Sequence, residues 1–140
     1  MFMEKTYVML KPDAVKRNLT GEIIKRIESK GLKIVNIKMM QLDEKILIEH
    51  YAHHASKPFF PEIVAFMTSG PVIPMIIEGE DAIKKVKMLI GPTKWFDAQP
   101  GSLRGDFASS VMENLVHCTD PADPEGTAEV EINRFFGENV

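Results

Sequence analysis

Two rhythms of apolar and polar positions run through the chain, one repeating every second residue and one every three to four, and their alternation marks out strands and helices. Residues 6–10 form a short apolar, β-rich run halted at Lys11-Pro12, which predicts a buried strand ending in a turn. Ile23, Ile24 and Ile27 recur at helical spacing within residues 20–30, and Gly31 stands where a helix can end in a left-handed conformation. Across residues 32–42, Ile34, Val35, Ile37 and Met39 mix with Lys33, Asn36 and Lys38, a partial alternation that predicts a strand with one wet face. Asp43 can cap a helix running to about Tyr51.

Pro58-Phe59-Phe60-Pro61 interrupts the helical pattern, and Pro61 suits the first turn of a further helix through Thr68, closed by Gly70. Residues 71–78 read as a strand in which Pro74 removes a ladder donor, so an edge position or a bulge is expected there. Residues 81–90 form an amphipathic helix with Ile83, Val86 and Ile90 on one side, ended by Gly91-Pro92. The irregular stretch that follows, to about Phe107, is long for a compact domain and carries Thr93, Lys94, Trp95 and Arg104. A short strand at 115–117 and a helix at 127–136 complete the order β-α-β-(αα)-β-α-β-α. That order predicts an α+β fold, a ferredoxin-like split βαβ antiparallel sheet with helices packed on one face. A small doubly wound parallel sheet is the alternative that periodicity leaves open.

Composition narrows the class. A length of 140 residues suits one domain, 1–140, and 44% hydrophobic with 26% charged residues excludes disorder and a scaffold that needs metals or disulfides to fold. Cys118 is the only cysteine, so no internal disulfide forms, and the N-terminal residues turn charged too early for a signal peptide. The apolar run at 72–77 is too short to span a bilayer and contains Pro74. A cytoplasmic protein without membrane attachment is expected. The 17 basic and 20 acidic residues give a net charge of −3, a field that repels nucleic acid, so any anionic ligand needs a local cationic cluster.

Neither phosphate-binding glycine loop is present, so a phosphate would be held by side chains, with Lys11, Lys87, Thr93 and Arg104 as candidates. Lys11 follows a buried strand and precedes a proline, which holds it on rigid backbone. Arg104-Gly105-Asp106-Phe107 reads as an anion clamp or as a turn with an Arg–Asp surface pair. On a short strand His117 and Thr119 share a face and Cys118 takes the other; Asn114 lies three residues before the histidine. A histidine is nucleophilic near neutral pH when another group fixes its tautomer. His50, His53 and His54 fall at metal-ligand spacing, but no nearby cysteine or well-spaced carboxylate completes a set. Phe59 and Phe60 suit either a nucleobase or the core.

These residues lie in motifs that resemble the nucleoside diphosphate kinases from end to end: Tyr-Val-Met-Leu-Lys-Pro-Asp-Ala-Val at 7–15, Gly-Glu-Ile-Ile-Lys-Arg at 21–26, Lys-Pro-Phe-Phe-Pro at 57–61, Ser-Gly-Pro-Val at 69–72, Pro-Gly-Ser-Leu-Arg-Gly-Asp-Phe at 100–107 and Asn-Leu-Val-His-Cys-Thr-Asp at 114–120. The resemblance implies transfer of the γ-phosphate of a nucleoside triphosphate, typically ATP, to a nucleoside diphosphate through a phosphohistidine, with ping-pong kinetics. His117 matches the family's nucleophile; Asn114 matches a residue at the sugar and phosphates; Lys11, Thr93 and Arg104 match phosphate ligands. Phe59 matches the aromatic that stacks on the base, which tolerates many bases because each has a π-face. Glu131 matches the carboxylate that orients the histidine, with Thr119 and Tyr51 as supporting hydroxyls. Mg²⁺ is implied as a bridge between nucleotide phosphates without a direct protein ligand, and a homo-oligomer built on a dimer, tetramer or hexamer, is implied as the assembly.

The chain also departs from the family's pattern. Lys87 stands where arginine is usual, replacing a bidentate fork by a point charge, so weaker nucleotide binding is expected. Cys118-Thr119 replaces Gly-Ser, Trp95 replaces a proline of the oligomer-stabilising loop, and the chain stops soon after Phe136, without the longer tail of many hexameric members. The segment 121–126 is about three residues longer than usual, which bears on the register of Glu131. Two other classes compete: a nucleotide-binding or interaction module that keeps the fold without turnover, and a nucleic-acid-binding protein using the same cationic cradle.

Overall fold

Residues 3–137 are described by the computed structural model; the outer residues of the two ends, including part of the N-terminal stretch expected to carry no leader, lie outside it. In chain order the elements are β1 (Met3–Leu10), α1 (Pro12–Lys16), α2 (Thr20–Ser29), β2 (Lys33–Ile37), α3 (Glu44–His50), α4 (Phe60–Met67), β3 (Ile73–Glu80), α5 (Ala82–Ile90), α6 (Leu103–Phe107), β4 (Val116–Cys118) and α7 (Thr127–Phe136), with a 3-10 turn at Trp95–Asp97. The strands form one sheet in the order β2-β3-β1-β4, and every neighbouring pair is antiparallel. This is the split βαβ arrangement; the parallel alternative is excluded.

Helices cover both faces of the sheet, not one. On β1, Val8 and Leu10 join a core with Ile23 and Ile27 of α2 and Val86 and Ile90 of α5. Tyr7 and Met9 join a second core with Leu47 of α3, Phe60 and Met67 of α4, and Ile132 and Phe135 of α7. Residues 6–10 are buried throughout because β1 lies inside the sheet with both faces packed, and a strand buried on both faces reads as a continuous apolar run. Leaving the second set of side chains wet would cost about 1.5–3 kcal/mol for each large one.

Pro74 is not on an edge strand: β3 is interior, and Pro74 is buried opposite Met9. Its carbonyl accepts from Lys38 N–H at 3.1 Å just past the end of β2, so the donor that proline lacks falls where the β2–β3 ladder runs out. The ladder's irregularity lies in β2, where the register shifts between Ile34 and Asn36. The strand expected over 32–42 accordingly ends at Ile37, with only a bridge from Met40 to Val72 beyond it. Lys11-Pro12 is less a turn than a helix start, with Pro12 in the first turn of α1, where a missing N–H costs nothing. Asp43 caps α3, accepting from Ile46 N–H at 2.9 Å, and Gly31 closes α2 with φ +88°.

The stretch 92–107 is more ordered than its sequence suggests. Ser102 caps α6 by accepting from Gly105 N–H at 3.0 Å. A Cβ at Gly105 would lie 1.9 Å from the Gln99 carbonyl oxygen, so glycine is required for packing of backbone on backbone. Asp106 pairs with Arg26 at 2.8 Å rather than with Arg104, which removes the Arg–Asp surface pair.

Candidate active site

The site forms at the β4 edge of the sheet, where the end of β1, α1 and the approach to β4 are tied together. Lys11 N–H donates to the Leu115 carbonyl at 2.8 Å, and Leu115 N–H donates to Asp13 Oδ2 at 3.1 Å. These two bonds hold Leu115 at φ +77°, a left-handed conformation that a branched residue rarely adopts. Lys11 Nζ donates to Asn114 Oδ1 at 2.7 Å, and the Asn114 amide donates onward to the Thr93 carbonyl at 3.2 Å. Burial, then the nearby Arg104 charge, pull the Lys11 ammonium down to about 8, against a smaller opposing pull from Asp13.

Arg104 is buried and spends its fork on backbone: Nε on the Asn114 carbonyl at 3.2 Å, Nη1 on the Gly91 carbonyl at 3.0 Å, and Nη2 on the Val116 carbonyl. Three of its five N–H donors therefore fix the end of α5 and the two sides of Leu115, and the other two remain for a ligand. Lys87, near the end of α5, pairs with Asp120 at 3.0 Å. The backbone N–H of Ala122 and then Lys87 hold the Asp120 carboxyl below its usual range.

His117 pairs across the sheet with Met9 and Cys118 with Val8, so the imidazole faces α3 and α7 while the thiol packs towards α2 and α5. His117 Nε2 lies 2.5 Å from Glu131 Oε2, and the Thr119 hydroxyl donates to Glu131 Oε1, also at 2.5 Å. With Nε2–H on the carboxylate, Nδ1 carries the free lone pair, and no described residue hydrogen-bonds to it. Burial alone would raise the Glu131 carboxyl, but the His117 hydrogen bond, the Thr119 hydroxyl and the Arg134 cation outweigh it and leave the carboxyl below its usual range. His50 packs edge-to-face on the His117 ring with centroids 4.4 Å apart, and Tyr51 stands 6.3 Å from it. Burial and then Glu131 raise the Tyr51 phenol, which stays protonated.

A cavity of about 930 Å³ opens over His117, with Lys11, Lys87, Thr93, Arg104 and Asn114 on its walls. It runs into an apolar cavity of about 410 Å³ bounded by Phe59, Ile63, Val111 and Met112, and the two share Lys11, Tyr51, His54, Thr93 and Asn114. Phe59 is 41% exposed and faces this space, whereas Phe60 is core at 6%. One end thus gathers Lys11, Lys87 and Arg104, with the carboxylates of Asp123, Glu125 and Glu129 also on its walls, and the other is apolar and aromatic, a division that suits a nucleotide. A further cavity of about 800 Å³ beside α7 presents Glu4, Glu78, Asp123 and Glu129 and suits no polyanion.

The family model described as nucleoside diphosphate kinase matches residues 4–140. The chain belongs to the nucleoside diphosphate kinase family. It is 48% identical to the nucleoside diphosphate kinase of Staphylococcus aureus over 137 residues, 98% of this chain and 90% of that one. It is 50% identical to the Methanothermobacter thermautotrophicus enzyme, covering 98% of this chain and 89% of the relative. Among solved structures, the halophilic nucleoside diphosphate kinase of Halobacterium salinarum in complex with CDP superposes with a TM-score of 0.93 at 49% identity, covering 98% of this chain and 90% of that chain. The apo enzyme of Encephalitozoon cuniculi gives a TM-score of 0.92 at 40% identity, with 98% and 91% covered.

For a nucleoside diphosphate kinase, the histidine spacing at 50, 53 and 54 has a different meaning from the metal reading. His53 and His54 lie against each other with ring centroids 3.9 Å apart, while His50 turns inward to His117. The donors brought within 4.8 Å of one another are His50, His117 and Glu131. Arg134 Nη1 lies 2.7 Å from His50 Nδ1, occupying that lone pair and setting a positive charge against a metal cation. Sequence reasoning missed Asp13, Val111 and Arg134, and it singled out His50 only as one of three histidines at metal-ligand spacing. The Lys-Pro-Asp run could have indicated Asp13; the others act through partners far away in sequence. No helix among the described residues is long and apolar enough to cross a membrane.

Proposed function

We propose that the protein moves the γ-phosphate of a nucleoside triphosphate to a nucleoside diphosphate through a phosphohistidine at His117. The observation that carries this reading is the His117 imidazole, bound through Nε2 to Glu131 and free at Nδ1, on the floor of a cavity walled by Lys11, Lys87 and Arg104. Nδ1 attacks the γ-phosphorus, the bond to the β-phosphate bridging oxygen breaks, and the diphosphate leaves with that electron pair. A second diphosphate then attacks the phosphoryl group with a terminal β-phosphate oxygen, and the N–P bond electrons return to Nδ1. Glu131 balances the charge that develops on the ring, and Thr119 holds the carboxylate.

Phe59 and Val111 flank the nucleobase in this reading, contacts that select a flat ring rather than a hydrogen-bonding edge. The halobacterial relative solved with CDP supports a nucleoside diphosphate as ligand. The cavity is lined by the cations of Lys11, Lys87, Arg104 and Arg134, by amides and hydroxyls, and by five carboxylates, of which Asp120 is held by Lys87 and Glu131 by His117 and Thr119. With those two carboxylates engaged by side chains of this chain, Mg²⁺ fits as an ion arriving on the nucleotide phosphates, where it would supply charge neutralisation, while Lys11 and Arg104 bind and orient the phosphates. The exposed apolar edge formed by Val35 and Ile37 of β2 and by Met39 just beyond it supports a homo-oligomer built on a dimer, and sedimentation of the full chain tests it. The lone thiol supports a cytoplasmic setting.

Steady-state exchange between ATP and GDP tests the reaction. Parallel double-reciprocal lines are expected, with activity lost in His117→Ala; intersecting lines, or an active His117→Ala, would overturn the phosphohistidine route.

A further inference from the structure

Arg134 lies on α7 one turn beyond Glu131, so both side chains share one face of the helix. Its guanidinium reaches the last residue of α3, with Nη1 2.7 Å from His50 Nδ1, and its Nε lies 3.6 Å from the Glu49 carboxylate. Arginine has no acceptor, so Arg134 donates and His50 Nδ1 accepts, which leaves the proton of that neutral ring on Nε2. His50 is 7% exposed, its Nε2 has no partner among the described residues, and its Nδ1 lies 4.0 Å from Glu131 Oε2. A fixed cation therefore stands behind the His50 ring and the Glu131 carboxylate, and both of those touch the nucleophile.

We infer that Arg134 is a positioning residue for phosphoryl transfer, acting through His50 and Glu131 to hold the orientation of the His117 ring. This rests on the proposed reaction at His117. The hydrogen bond prevents His50 from flipping, and so holds the edge-to-face contact at 4.4 Å that defines one side of the His117 ring. The same guanidinium acts on the other partner of the ring: Glu131 Oε2 lies 2.5 Å from His117 Nε2, and the Arg134 cation is one of the groups that keep that carboxyl below its usual range. Tyr51, just beyond α3, and Tyr7 on β1 are the remaining aromatic neighbours of His117. Burial above all, and then the surrounding cations, drives the His50 imidazole far below its usual range, consistent with a neutral ring.

The test is steady-state ATP–GDP exchange near neutral pH by the full chain and its Arg134→Met, Arg134→Gln and Arg134→Lys variants. Arg134→Met is expected to lose roughly threefold to tenfold in kcat with its nucleotide KM within about twofold of wild type. Arg134→Gln and Arg134→Lys each keep a donor for His50 Nδ1 and should recover most of the lost rate, and Arg134→Leu takes the place of the methionine variant if that one does not fold. A wild-type kcat in the variant that removes the donor would overturn the inference. So would a rise in nucleotide KM with kcat unchanged, since Arg134 would then be a nucleotide ligand. Nitrogen NMR of the imidazoles reads the His50 tautomer without turnover: one Nε2–H form is expected in wild type and a mixed or titrating ring in Arg134→Met. If wild type shows no exchange, the reaction reading fails, while an unchanged His50 tautomer in Arg134→Met would count against Arg134 alone.

Discussion

Replacing Glu131 with glutamine removes one charge and almost no volume at the centre of the site. Glu131 is 6% exposed and accepts two hydrogen bonds of 2.5 Å, from His117 Nε2 and from the Thr119 hydroxyl. A glutamine can turn its carbonyl oxygen to His117 and its NH₂ to Thr119 Oγ1, so both contacts survive and only their ionic character is lost. Hydrogen bonds to charged groups contribute about 1.5–3 kcal/mol against about 0.5–1.5 for neutral ones. Only the His117 bond strengthens as the ring takes on positive charge during phosphorylation, so one difference of about 1.5 kcal/mol applies to the barrier. That corresponds to a loss of roughly tenfold in the rate of phosphoenzyme formation. Rapid-quench single turnovers with radiolabelled ATP measure this rate directly, and the apparent affinity for ATP should be unchanged because Glu131 is not among the groups proposed to hold phosphates. A Glu131→Gln enzyme phosphorylated within twofold of the wild-type rate, or one impaired only in ATP affinity, would refute the reasoning.

Other consequences are accessible to standard measurements. Lys87→Arg is expected to lower the nucleotide KM by roughly threefold to tenfold, through a bidentate fork that competes with the 3.0 Å bond to Asp120; an unchanged KM counts against Lys87 as a phosphate ligand. The Lys11 ammonium is pulled down to about 8 by burial, and a bound phosphate favours its charged form. Nucleotide affinity measured by calorimetry should therefore fall as pH rises above about 8, by up to tenfold per unit, and a flat profile to pH 9.5 would contradict this. His50 is buried neutral, with its folded pKa far below the unfolded value of 6.5. Its contribution to stability is complete above that value and is lost as pH falls, by roughly 2 kcal/mol between about pH 6.5 and 5. Denaturant melts should show a shallower acid loss in His50→Gln, and identical slopes would exclude His50 as the source.

Much of the fold was legible because the signals were local. Asp43 caps the helix that follows it, Gly31 closes the helix before it, and residues 6–10 are buried on both faces. Pro74 was misleading because its tolerance depends on where a neighbouring strand ends, a fact of topology that the strand's own residues do not carry. The second helical layer was missed for a related reason: Tyr7 and Met9 are covered by α3, α4 and α7, elements that follow β1 at varying distances along the chain. At the site, Lys11, Arg104 and His117 stood out by residue type and motif. The Arg104 contacts to Gly91, Asn114 and Val116 did not, and neither did the Arg134–His50 bond, which joins residues 84 apart. The three histidines at 50, 53 and 54 share a helical spacing that suggested a common metal, yet α3 ends at His50, so the later two leave its face.

The central claim is that Nδ1 of His117 carries the phosphoryl group between two nucleotides. Its most direct test is isolation of the protein after brief incubation with radiolabelled ATP and Mg²⁺, mapping of the label, and challenge with ADP or GDP. The account predicts an acid-labile phosphate on His117 at Nδ1, discharged by either diphosphate as the corresponding triphosphate and absent from His117→Ala. Label on another residue, label that neither diphosphate removes, or equal labelling of His117→Ala would contradict it.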